Sequence, residues 1–104
     1  MTPPVSETLG LLAEARQLAS DLGYRVREEP LGDLPGGLCS IGGVSHLMIN
    51  MEHPAADRLD RLLATLAADP RTAAEPKSRL LEARLARVER LADGDSPPAA
   101  HAPR

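Results

Sequence analysis

The chain has 104 residues, 42% of them apolar and 26% charged, with a net charge of −3. That length suits one domain with a short surplus, and the acidic balance gives no global attraction to nucleic acid or anionic membranes. Tyr24 is the only aromatic residue and Cys39 the only cysteine, which excludes base-stacking platforms, intrachain disulfides and multi-cysteine zinc sites.

Leu (17) and Ala (16) dominate the apolar set, so core volume must come from leucine. The N-terminus MTPPVSETLG lacks the basic and apolar runs of a secretory signal. No apolar stretch approaches the roughly 20 residues that span a bilayer. A cytoplasmic protein without a membrane segment is the resulting expectation, with Cys39 reduced.

In chain order, residues 1–5 form a Pro-containing lead. A helix is predicted from Ser6 to Leu22, because Leu11, Ala15, Leu18 and Leu22 recur on one face beside Leu12 and Ala19. Gly23 stops it. Tyr24–Glu29 alternates weakly and carries four charges, the pattern of an edge strand. PLGDLPGG over 30–37 predicts a loop.

Two apolar runs follow, Leu38–Ile41 and Val44–Met51, joined by Gly42-Gly43. A Gly-Gly link predicts a type I′ hairpin, since that turn needs positive φ at both central residues. The register then pairs Ile41 with Val44, Ser40 with Ser45, Cys39 with His46 and Leu38 with Leu47. One face carries Leu38, Leu47, Ile49 and Met51 and is the expected core face. The other carries Cys39, Ile41, Val44, His46, Met48 and Asn50.

Pro54 opens a second helix with the stripe Ala55, Leu59, Leu62, Leu63 and Leu66, and Asp69-Pro70 ends it. Residues 70–75 are read as a linker. A third helix is predicted over 76–92, with Leu81, Leu85, Val88 and Ala92 as its seam and Gly94 as its stop. The order is α-β-β-β-α-α: an α+β fold in which a small antiparallel sheet packs with three helices. Residues 1–94 form a single domain in this reading, and residues 95–104 a disordered tail.

Motifs for catalysis are missing. There is no H-E-x-x-H, G-x-S-x-G, phosphate-binding loop or dinucleotide fingerprint. The acidic pairs Glu28-Glu29 and Asp57/Asp60 fall where periodicity predicts solvated surface. The chain is therefore expected to be non-enzymatic and to need no cofactor. Cys39, His46 and Met48 share one hairpin face, and these soft ligands suit Cu(I), or zinc if further ligands arrive. They are the candidate metal site of an alternative reading, a metal- or redox-responsive module. The third helix carries Lys77, Arg79, Arg84, Arg87 and Arg90 against Glu82 and Glu89. A basic helix permits a second alternative, a small nucleic-acid-binding regulatory subunit, although the arginines drift around the helix.

The segment from the first helix to the second resembles the N-terminal part of IrrE/ImmA-type metallopeptidases. The features that match are Leu22-Gly23-Tyr24, the strand around Val26, Gly36-Gly37, the hairpin closing on Ile49-Asn50, and Arg58. In that family the following helix carries H-E-x-x-H. Here Leu59–Leu66 holds neither His nor Glu, so the resemblance implies the fold order without the zinc or the hydrolysis. The Gly36–Cys39 stretch is also similar to small bacterial proteins in which Gly-Gly-Leu-Cys opens a hairpin, a likeness that brings no activity with it.

The leading expectation is thus an interaction or assembly domain of a bacterial cytoplasmic protein, a homodimer or the companion of a larger protein. Two apolar surfaces are expected to make the contact: Ile41, Val44 and Met48 on the hairpin, and Leu81, Leu85 and Val88 on the third helix.

Overall fold

The computed structural model describes the backbone of residues 4–95 and the side chains of residues 4–90. Helix α1 spans Val5–Asp21, followed by β1 (Arg25–Glu29), β2 (Gly37–Ile41), β3 (Val44–Asn50) and helix α2 (Ala55–Ala68). A 3-10 helix over Pro70–Ala74 and helix α3 (Arg79–Asp95) complete it. The predicted order α-β-β-β-α-α and the α+β class hold. The expected tail lies outside the described residues except for Asp95, which the last helix includes.

Helix α1 ends as its glycine requires. Gly23 has φ +101°, the Gly23 amide donates to the Ser20 carbonyl, and the Tyr24 amide donates to the Ala19 carbonyl, both at 3.0 Å. This paired closure is a Schellman motif, and it turns the chain directly into β1. The hairpin turn is also as expected. Gly42 and Gly43 have φ +58° and +83°, and the register Ile41–Val44, Ser40–Ser45, Cys39–His46, Leu38–Leu47 is the one the Gly-Gly link implies.

The sheet differs from expectation in one respect. Its order is β1-β3-β2, and β1 runs parallel to β3, so the sheet is mixed and not wholly antiparallel. The cause is the loop 30–36. It carries the chain from β1 across the end of β3 to the far edge, so that the hairpin returns β3 into the middle. Composition supports that placement: β3 holds Leu47 and Ile49, each 1% exposed, while β1 reads RVREE.

Asn50 makes the crossing possible. Its Oδ1 accepts from the Leu31 amide (3.1 Å) and the Glu52 amide (2.9 Å). Its Nδ2 donates to the carbonyls of Gly32 (2.9 Å) and Leu34 (2.8 Å). Every polar position of the carboxamide is used, which is why Asn50 can be buried at 1% exposure. Gly36 brings the loop down onto the same strand. A Cβ there would sit 2.5 Å from the Met48 carbonyl oxygen, and its φ is +80°.

Helices α1 and α2 lie over the Leu47/Ile49 face. Helix α1 packs over β1 and α2 over β3, and α3 packs on both helices. One cluster joins Leu11, Leu12, Leu18, Leu59, Leu62, Leu63 and Leu66 to Leu47 and Ile49. Leu81 and Leu85 belong to it, with Val88 packed against it. This corrects the expectation that the third-helix seam is a contact surface: its leucines are spent inside the fold. The N-terminus of α3 is fastened too. Ser78 caps it, its Oγ accepting from the Leu81 amide at 3.1 Å, and Glu14 of α1 accepts from both the Ser78 amide (2.7 Å) and hydroxyl (2.6 Å).

Further corrections concern boundaries and two core positions. Residues 70–74 are a 3-10 helix and not a plain linker, α3 starts at Arg79 and runs on through Gly94, and Pro54 is the cap residue before α2. Leu38 and Met51, assigned to the core face, are exposed. Leu38 is on the inner face, but the helices stop short of β2. Met51 falls just past the end of β3, where its Sδ meets the Arg58 guanidinium at 3.8 Å.

Two substitutions test this construction by chemical denaturation. Asn50→Ala strands two amides and two carbonyls, and should cost about 2–4 kcal/mol. Gly42→Ala should cost about 1–2 kcal/mol for its positive φ alone. Gly36→Ala adds a backbone collision to the same strain and should cost clearly more than Gly42→Ala. Equal costs at the two glycines would show that the close approach at Gly36 is not real.

Candidate functional site

Because the helices cover β1 and β3, the hairpin overhangs the helical layer. Four large apolar side chains around it are exposed: Leu34 (63%), Leu38 (55%), Ile41 (57%) and Val44 (37%). From Leu34 to Met51 the chain has no Asp, Glu, Lys or Arg, in a sequence that is 26% charged. The loop and the sheet enclose an open groove of 370 Å³ lined by Leu31, Leu34, Pro35, Leu38, Cys39 and Met48 among others.

Of the predicted hairpin contact residues, Ile41 and Val44 are exposed at the tip as a cross-strand pair, and Met48 is half-buried at the groove floor. The outer side of β2 has no strand beside it among the described residues, because β2 closes the sheet order. The sheet therefore has two unlike edges: β1, dressed with Arg25, Arg27, Glu28 and Glu29, and β2, with no charge at all.

The soft-ligand residues are brought near one another. Cys39 pairs directly with His46, and Met48 lies two residues along the same face. Cys39 is exposed. The Nδ1 atom of His46 is buried with no hydrogen-bond partner among the described residues. Among those residues, no three His, Cys, Asp or Glu side chains are grouped to hold a metal ion. His53 is drawn away to Asn50, its Nε2 being 3.3 Å from the carboxamide nitrogen.

A second polar cluster was not foreseen. The Tyr24 hydroxyl donates to Asp69 Oδ2 at 2.7 Å, and Arg71 donates to the same carboxylate through Nε and Nη2. Asp69 also accepts from the Arg71 amide at 2.9 Å and so caps the 3-10 helix. Arg71 Nη1 reaches back to the Leu22 carbonyl at 3.0 Å. The cluster ties the end of α1 and the start of β1 to the end of α2. Its sequence signal was the Asp69-Pro70 pair, a helix-start signature that also reads as a helix stop. The guanidinium of Arg71 and the Tyr24 hydroxyl hold the Asp69 carboxyl well below the usual carboxylate range. Burial, then the neighbouring Asp69, pushes the Tyr24 hydroxyl up.

No described helix is long and apolar enough to cross a membrane. Comparison with known proteins found no matching family model, curated protein or solved structure.

The Asp69 cluster gives a pH test. A depressed carboxyl contributes stability that is present above the unfolded-state value, about 3.9, and is lost as pH falls toward the folded value. Asp69→Asn should lower the melting temperature at neutral pH and narrow its gap to the wild type below about pH 4. An unchanged gap down to pH 2 would remove the ion pair as the cause.

Proposed function

We propose that this protein is a non-enzymatic interaction or assembly domain whose contact surface is the β2–β3 hairpin with its neighbouring loop. The observation that carries the reading is the overhang: exposed Leu34, Leu38, Ile41 and Val44 gathered around an uncharged strand at the edge of the sheet. Single exposed apolar residues are ordinary, but a group of them flanking unpaired backbone donors and acceptors is a surface built to be covered. Leu81 and Leu85 of the third helix are buried in the core and so do not belong to this surface.

The test compares wild type with Ile41→Asp and Val44→Asp. Both positions are at the hairpin tip, outside the core, so the variants should keep the wild-type far-ultraviolet spectrum. They should lose whatever the wild type binds, whether itself in sedimentation or a protein captured from the native host. Variants that bind everything the wild type binds would sink the reading. Leu85→Asp serves as the contrast: it is expected to unfold the protein.

One observation favours the metal- or redox-responsive alternative, namely the unpartnered His46 Nδ1 beside the exposed Cys39. The interaction reading expects purified reduced protein to hold no stoichiometric zinc or copper by mass spectrometry. One tight metal per chain or per pair of chains, lost in Cys39→Ser and weakened in His46→Ala, would replace it.

A further inference from the structure

We infer that the partner on the β2 edge is a second copy of this chain, paired antiparallel through β2 about a twofold axis at Cys39. The inference rests on the reading of the hairpin as the contact surface, and names what covers it.

Backbone hydrogen bonds alternate in direction along the hairpin. In a two-residue hairpin the closing pair, Ile41 and Val44, exchanges both backbone bonds. Alternation then directs the amides and carbonyls of Ile41, Cys39 and Gly37 toward β3. Those of Leu38 and Ser40 point outward, where no strand lies beside them among the described residues. Edge strands left in this state are templates for another strand.

A twofold antiparallel pairing must oppose residues whose numbers have a fixed sum. Setting Leu38 opposite its own copy would call on Gly36, which is held at φ +80° against β3. Opposing Ser40 to its copy would call on Gly42, which is in the turn at φ +58°. Only the register centred on Cys39 uses both outward-facing residues of both strands, Leu38 with the copy's Ser40 and Ser40 with its Leu38.

The same register is complementary in shape, and no charge opposes it. Leu38 faces a serine, Ile41 faces Gly37, and Cys39 faces Cys39, so each large side chain meets a small one. No charge lies on the strand, so like meets like without repulsion. A partner with a charged strand would find no opposite charge here, and the segments that flank the fold are poor strand candidates. Met1–Pro4 contains Pro3 and Pro4, and residues 96–104 contain Pro97, Pro98 and Pro103, none of which can donate to a ladder. The product is a continuous sheet, β1-β3-β2-β2-β3-β1, with charged β1 strands guarding both outer edges. Antiparallel pairing within one sheet keeps the helical layers on the same face. Leu38, on that face but beyond its own helices, then lies in the cleft between the two layers.

Cys39 reads out the register, since it is the only thiol and the Cys39–Cys39 pair is of the non-hydrogen-bonded kind, with Cα atoms about 4.5 Å apart. The experiment uses the full reduced chain, a short homobifunctional maleimide and sedimentation velocity at micromolar concentration. The wild type should sediment as a dimer and cross-link through Cys39 in high yield, and denaturation in urea before the reagent should abolish the cross-link. Cys39→Ser should lose the cross-link and stay dimeric. Ser40→Pro removes an outward amide that β3 does not use and should weaken dimerisation by about tenfold or more. Leu38→Lys, at an exposed position, should do the same without touching the backbone, so a folding defect in the proline variant would not decide the outcome. A folded monomeric wild type at high concentration overturns the inference, yet leaves the hairpin free to bind a different protein. A dimer that gives no cross-link, or that both variants leave intact, overturns the edge pairing. Loss of that dimer in Val44→Asp would then still support the hairpin as the contact surface.

Discussion

The carboxamide of Asn50 decides the shape of this molecule. A chain that places β3 between β1 and β2 must carry a loop over the end of the central strand. Such a loop presents peptide groups to a partly dry surface, where each unpaired amide or carbonyl is costly. Asn50 answers two amides and two carbonyls at once, three of them in the loop. An aspartate could accept but not donate, and a leucine could do neither. Gly36 then lets the loop touch β3 directly, which starts β2 at the far edge. The mixed sheet, the position of the hairpin and the exposure of its edge all follow from that one crossing.

The helical layer has a different economy. With a single aromatic residue the core is built from leucines, and leucine packing alone orients helices loosely. Polar fasteners supply the missing definition. Glu14 grips the start of α3 through Ser78, and Asp69 with Arg71 and Tyr24 binds the ends of α1 and α2. These contacts join positions far apart in sequence, 64 residues in the first case, so they narrow the choices left open by the apolar contacts. They also account for α3 behaving as part of the fold and not as an arm that docks elsewhere.

Local signals were legible in the sequence wherever the controlling chemistry was local. The Gly23 stop, the Gly42-Gly43 turn, the Cys39–His46 register and the leucine stripes of α1 and α2 depend on residues within a few positions of one another. What could not be read was set by residues that meet only after folding. The direction of β1 depends on the route of the 30–36 loop, and the role of Asn50 in that route is visible only once Gly32 and Leu34 stand over it. Leu38 and Met51 have the correct alternation for a core face, yet alternation says which side a residue faces and not how far the helices extend above it. Leu81 and Leu85 erred in the opposite sense: an amphipathic seam is the same pattern whether its partner is the chain itself or another one. Of the candidate site, Ile41, Val44 and the Cys39–His46 pairing were legible, while the open edge beside them was not.

The two edges of the sheet show how sequence can assign different fates to equivalent positions. Both β1 and β2 end the ladder, and both leave backbone groups without a strand beside them among the described residues. Four of the five residues of β1 are charged, and Arg16 and Arg27 pair with Glu28 and Glu29. Bringing a further strand there would strip water from those charges and set like against like. On β2 the same operation removes water only from leucine, isoleucine, cysteine, serine and glycine. The cost of approach is therefore low on one side and high on the other, and the difference is written entirely in side chains that do not contribute to the core. A protein that had to remain alone would gain from guarding both edges. Here the guard is confined to β1, and the uncharged run that includes β2 extends unbroken from Leu34 to Met51, through the loop, the turn and the groove. Among the described residues, the uncharged part of the sheet is thus gathered along one open strand.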